Sequence, residues 1–231
     1  MKKLLAIVLS LIFVVSLCSF AAAEEKTAYK VGICNLVDDP SLNQINDNIQ
    51  AQLAALGEEK GVTFDIIYQN CNMDFAVLDQ IISDFIFEEV DLMVGIATPV
   101  AKAMMTATED NGIPVVFAAV SDPVGSGLAD SMEAPGHNVT GTSDALNTDA
   151  ILDLIFAQNP EAASVALLYT PPEDASTAPI AKAKEILDAK GVSYTEYSGT
   201  NTVEVQQAVD ALIQDGVDAV FTPTDNTIQV A

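Results

Sequence analysis

From Tyr29 onward, short continuous apolar runs alternate with longer segments in which apolar residues recur every three or four positions, and nothing else in the chain restricts its fold as strongly. Residues 29–36 read as a buried strand. Leu42, Ile45, Ile49, Leu53 and Leu56 then fall on one face of a helix over 41–60, Gly61 ends it, and 62–68 reads as the next strand. The alternation continues with a helix over 75–88, a strand over 91–97, a helix over 98–109 and a strand over 113–120. Strands that are apolar on both faces, each followed by a helix, belong to a parallel sheet covered on both sides, and right-handed crossovers constrain its winding.

Between 121 and 141 glycine, proline and polar residues crowd together, and this stretch reads as a connection between lobes, with Asn138, Val139, Thr140 and Gly141 as the expected hinge. A helix over 145–158 opens a second alternating series: strand 164–169, helix 176–190, strand 192–198, helix 203–214 and strand 217–222. The expected fold is therefore α/β, two doubly wound parallel-sheet lobes, with the first over 24–143 and the second over 144–231. Ala231 falls a few residues into what reads as a further helix near Asp225, so the second lobe is expected to be incomplete.

The amino terminus adds a compartment. Lys2 and Lys3 precede a largely apolar run over 4–20 that ends in Ala21-Ala22-Ala23, the pattern of an export signal cleaved near Glu24. Cys18 offers an alternative lipid anchor, but Leu17 before it is bulkier than such sites use. The expectation is a protein released outside the cytoplasm or held at the cell surface. Losing two of the nine lysines with the signal leaves seven against 33 acidic side chains, a formal charge of −26. Nucleic acid is excluded as a partner by that charge, which otherwise serves solubility.

Every basic residue is lysine; there is no arginine and no tryptophan. A ligand carboxylate must then be held by backbone amides, hydroxyls, a lysine or a helix amino terminus rather than by a guanidinium fork. Cys34 and Cys71 sit near the carboxyl ends of the first two strands; in an exported protein either a disulfide between them or two buried thiols fits that placement.

In open α/β sheets the ligand crevice lies beyond the carboxyl ends of the strands. The residues there are polar: 38–40, 70–72, Thr98-Pro99, Ser121-Asp122-Pro123, 170–176 and 222–226. Thr98 reads as the cap of its helix with Pro99 in the first turn, an arrangement that can receive an anion. Enzyme signatures are missing: there is no phosphate loop, no nucleophile elbow, no C-x-x-C and no H-E-x-x-H. Gly125-Ser126-Gly127 lacks the third glycine of a dinucleotide fingerprint, and the single histidine, His137, sits in the glycine-rich stretch as a loop residue. No cofactor and no metal site is expected.

Ordered across the chain, Thr98-Pro99-Val100-Ala101, Pro114-Val115-Val116-Phe117, Ser121-Asp122-Pro123-Val124-Gly125, Asn138-Val139-Thr140-Gly141-Thr142-Ser143-Asp144, Leu168-Tyr169 with Glu173 and Ser176, and Pro223-Thr224-Asp225-Asn226 resemble the ABC transporter substrate-binding proteins of the tryptophan and tyrosine uptake type, built on the type I periplasmic-binding-protein fold. The resemblance implies two lobes closing on an amino acid or similar small molecule for delivery to a membrane permease, with Thr98, Pro99, Ser121, Asp122, Ser143, Asp144, Glu173, Ser176, Asp225 and Asn226 lining the cleft. A bound zwitterion is expected to place its carboxylate at Thr98 and its ammonium beside Asp225 or Asp122. Two positions depart from the family pattern: Asp39 precedes Pro40 where the family has histidine, and Ala175 stands where it has asparagine. The competing readings are a sensor domain of a membrane receptor and, less well supported by the motifs, an exported hydrolase.

Overall fold

The computed structural model describes residues 26–231; the expected export signal over 1–23 and Cys18 lie outside them. The first half comprises β1 (Ala28–Asn35), α1 (Pro40–Lys60), β2 (Thr63–Asn70), α2 (Phe75–Phe87), β3 (Leu92–Ile96), α3 (Thr98–Thr108), β4 (Val115–Val120) and β5 (Val139–Ser143). These strands form one parallel sheet in the order β2-β1-β3-β4-β5. The winding reverses between β1 and β3, so the chain leaves these two neighbours toward opposite faces and a crevice opens above their carboxyl ends. Asp39 and Thr98, just past β1 and β3, stand at its rim.

Residues 121–141 do not join two lobes as expected. Residues 121–138 form a loop that returns to the same sheet, where Val139, Thr140 and Gly141 pair with Val115, Val116 and Phe117. Asn138 Nδ2 donates to Thr108 Oγ1 at 2.9 Å and to the Ile113 carbonyl at 2.6 Å. The expected hinge residues 138–141 are thus tied into the first sheet, and the chain crosses to the second only after Ser143. β5 is a short edge strand of which only Val139 is buried, so no apolar run announces it. Gly141 permits its close approach, because a Cβ there would lie 2.1 Å from the Phe117 carbonyl oxygen.

The second half comprises α4 (Thr148–Gln158), β6 (Ser164–Tyr169), α5 (Asp174–Lys190), β7 (Ser193–Ser198), α6 (Thr202–Asp215), β8 (Ala219–Phe221) and α7 (Asn226–Gln229), with a parallel sheet in the order β7-β6-β8. Central strand β6 is covered on both faces. Val165 and Leu167 pack with Leu152 of α4 and Ile180 and Leu187 of α5. Ala166 and Leu168, pointing the other way, pack with Ala208 and Leu212 of α6. That two-sided burial is why β6 reads as a continuous apolar run, and each such leucine contributes about 1.5–3 kcal/mol by leaving water.

Cys34 and Cys71 are buried free thiols. Cys34 Sγ donates to the Asn35 carbonyl at 3.5 Å and Cys71 Sγ to the Leu36 carbonyl at 3.3 Å. The interaction of the two neighbouring thiols, with burial, raises the Cys34 pKa, and the same interaction lowers that of Cys71 to about 7.

Candidate functional site

The site begins with how α3 starts. Gly95 near the end of β3 has no Cβ, and one built there would meet the Ala101 backbone at 2.9 Å, so glycine lets the helix lie directly on its own strand. The turn between them is made by Ala97, a non-glycine residue with φ 77° and ψ 152°, a conformation that costs on the order of 1–3 kcal/mol. Ala97, not Thr98, is therefore the cap residue; Thr98 and Pro99 open the helix. Alanine offers no side-chain acceptor, and no side chain caps α3. A helix amino terminus left in this state presents backbone N–H groups and positive potential to whatever enters the crevice.

Thr98 is 3% exposed and lines a cavity of about 320 Å³ between the two sheets. Around it stand Asp39, Leu42, Ala119, Ser121 and Asp144 from the first half, and Ala175, Thr224, Asn226 and Gln229 from the second. Ala119 too has a positive φ, 53°, where the pairing of β4 with β5 shifts register, so two strained alanines sit at the strand ends around one cavity. Asp39 caps α1 through one oxygen, which accepts from the N–H of Ser41 at 2.8 Å and of Leu42 at 3.1 Å. Ser121 Oγ and Thr224 Oγ1 are hydrogen-bonded at 2.8 Å, joining the two bodies.

A second, larger cavity of about 720 Å³ lies beyond Pro99 and shares Asn226 with the first. Its walls are mostly apolar: Leu36, Met73, Phe75 and Pro99 on one side, Pro172 and Val230 on the other, with Lys102, Glu173 and Asp174 at the boundary. Glu173 Oε1 accepts from the N–H of Asn226 at 2.7 Å and also from its Nδ2. Burial, reinforced by the neighbouring Asp225 carboxylate and opposed by the Asn226 bonds, pushes the Glu173 carboxyl up to about 7.

Of the residues singled out in the sequence, Thr98, Ser121, Asp144 and Asn226 meet in the smaller cavity, and Pro99, Glu173 and Asn226 line the larger. The others stand elsewhere. Asp225 is fully buried, and its oxygens accept from Thr170 N–H (2.6 Å), Thr170 Oγ1 (2.9 Å), Ser176 Oγ (2.7 Å) and Ile228 N–H (3.0 Å). It ties the β6–α5 turn to the start of α7, and Ser176 is consumed in the same knot. Asp122 lies in a separate recess with Pro179 and Lys182, its carboxylate accepting from the Gly125 N–H at 2.7 Å. Ser143 Oγ donates to the Ser121 carbonyl at 3.3 Å. Both oxygens of Asp225 are engaged, and Asp122 lines neither of the two cavities; the carboxylates that line the smaller cavity are Asp39 and Asp144. Lys102, Met73 and Phe75 were missed because helix-face and loop positions facing another body carry no local pattern.

The chain matches the family model described as ABC transporter substrate binding protein over residues 30–231. It is 33% identical over 205 residues to a tyrosine-binding protein of Clostridioides difficile, covering 89% of this chain and 59% of that relative's length. Among solved structures it superposes with TM-score 0.80 at 32% identity on the Streptococcus pneumoniae ABC domain in complex with L-Trp, covering 88% of this chain and 68% of that one. Against the ligand-free, open structure of a Clostridium difficile substrate-binding protein with adhesive properties the identity is 34% and the TM-score 0.63, with 87% and 67% covered. At nearly equal identity, the chain superposes more closely on the tryptophan complex than on the open form. The two parallel sheets, the cleft between them and the match over residues 30–231 make this chain a member of the ABC transporter substrate binding protein family, with the α/β fold of the type I periplasmic binding proteins.

Proposed function

We propose that this chain is the extracytoplasmic capture component of an ABC uptake system, closing two lobes, divided near residue 143, on an amino acid and handing it to a membrane permease. The observation that carries the reading is the uncapped start of α3 opening, at Thr98, into a polar cavity walled by both bodies. In a chain without arginine that amino terminus is the strongest receptor for a carboxylate, and the hydroxyls of Thr98 and Ser121 supplement it. The ammonium pairs with Asp39 or Asp144 rather than with Asp225 or Asp122. The apolar cavity next to Pro99 suits a large side chain, and the relatives that bind tyrosine and hold L-Trp support an aromatic one.

Binding proceeds without turnover. Export follows from the lysine-led apolar amino terminus, and among the described residues no helix is long and apolar enough to cross a membrane. The test is a titration against tryptophan, tyrosine, phenylalanine, branched-chain amino acids and neutral sugars. Because the chain has no tryptophan, fluorescence of added L-tryptophan reports its own binding. Aromatic amino acids are expected to bind most tightly, with Asp39→Asn or Asp144→Asn weakening them; tight binding of a sugar and none of amino acids would sink the reading.

A further inference from the structure

We propose that the ion pair between Lys102 and Asp174 is an electrostatic latch across the cleft, holding the two bodies closed and slowing the escape of a bound ligand. The inference rests on the reading of the cleft as a ligand site. Lys102 Nζ donates to Asp174 Oδ2 at 2.7 Å, from α3 beside the first sheet to α5 beside the second. Among the described residues, this bond and the Ser121–Thr224 bond are the two side-chain hydrogen bonds that join the bodies, one at each cavity.

The placement follows from the helix. Val100, Ala101 and Met104 give α3 its buried face, so Lys102 emerges on another side and reaches the second body without disturbing that packing. Among the residues lining the two cavities it is the single basic side chain, set among the carboxylates of Asp39, Asp144, Glu173 and Asp174. Without Lys102, closure would bring these acidic walls together uncompensated. Asp174 lies in the first turn of α5, where the positive end of the helix favours its charge independently of Lys102. The pair's own attraction is therefore what opening gives up. Both side chains are half exposed (41% and 46%), so that attraction is modest and screened by salt. A contact formed on closure acts chiefly on the dissociation rate.

The probe is L-tryptophan, followed by its own fluorescence, against the wild type, Lys102→Asp, Asp174→Lys and the double exchange. Each single reversal is expected to speed dissociation about three- to ten-fold, and the double exchange to return it close to the wild-type rate. The wild-type rate should also rise on going from about 0.05 to about 0.5 M salt. Single variants indistinguishable from wild type, or a double variant as fast as the two effects combined, would overturn the latch. If the wild type binds no L-tryptophan, the amino-acid reading fails by itself, and the latch is read from small-angle scattering of the ligand-free proteins at low salt. There the single reversals should be more extended than the wild type and the double exchange; equal radii of gyration for all four would overturn it.

Discussion

Ser121 and Thr224 stand 103 positions apart in the chain, yet their hydroxyls meet at 2.8 Å, one from the end of a strand in the first sheet and one from the loop before the last helix of the second. Beside them Thr98 opens α3 with its N–H groups facing the same cavity. Thr98→Val and Ser121→Ala each remove one hydroxyl while keeping approximate shape. Each is expected to weaken amino-acid binding about two- to ten-fold, as loss of a single net hydrogen bond does, with little change in unfolding midpoint. Calorimetric titration of both variants is the measurement, and unchanged affinity in both would move the ligand away from this cavity.

Asp225 should behave as a structural residue. Its oxygens are enclosed by four donors, so Asp225→Asn turns an NH₂ group toward donors and leaves buried polar groups unpaired. A loss of about 2 to 4 kcal/mol is expected, seen as a lower urea midpoint for the second body. If Asp225→Asn unfolds like the wild type but binds ligand poorly, Asp225 contacts the ligand after all.

Glu173 predicts a pH dependence of unusual sign for a carboxylate. Its pKa is raised in the folded state to about 7 by burial and by Asp225, from an ordinary value of 4.5. Between those values the folded chain holds a proton that the unfolded chain has released, so stability contributed by Glu173 is present at low pH and lost as pH rises toward 7. Glu173→Gln keeps an acceptor for the Asn226 N–H but carries no charge. Melting temperatures from about pH 5 to pH 8 should fall in the wild type and be flatter in the variant; parallel curves would show that Glu173 is ionised throughout.

Ala97 holds a backbone conformation that glycine adopts freely, with φ 77°. Ala97→Gly relieves strain of about 1–3 kcal/mol at the cost of one buried methyl, about 0.8 kcal/mol, so it should leave stability unchanged or raise it by about 1 kcal/mol. Chemical denaturation checks this. A clear destabilisation would mean that packing of the Ala97 methyl outweighs the strain at this turn.

The sequence by itself determined the alternation of strands and helices, because burial on both faces writes a continuous apolar run into a parallel strand and burial on one face writes a period near 3.6 into a helix. It placed Thr98, Ser121, Glu173 and Asn226 near a crevice, because polar residues just after apolar strands have few other places to go. Tertiary structure alone decided the rest. β5 is marked by no apolar run, since an edge strand needs only one buried residue, and so residues 138–141 read as a hinge until their pairing with β4 was seen. Asp225 and Ser176 belong to the same polar stretches as the cavity residues, and what separates them is which neighbours reach their oxygens first, a matter of contacts 49 to 55 positions away. Lys102 carries no signal in its own helix, because its partner is 72 positions distant and is brought to it only when two sheets come together. Local periodicity records what each element buries; it does not record which of two faces, formed by different parts of the chain, will meet.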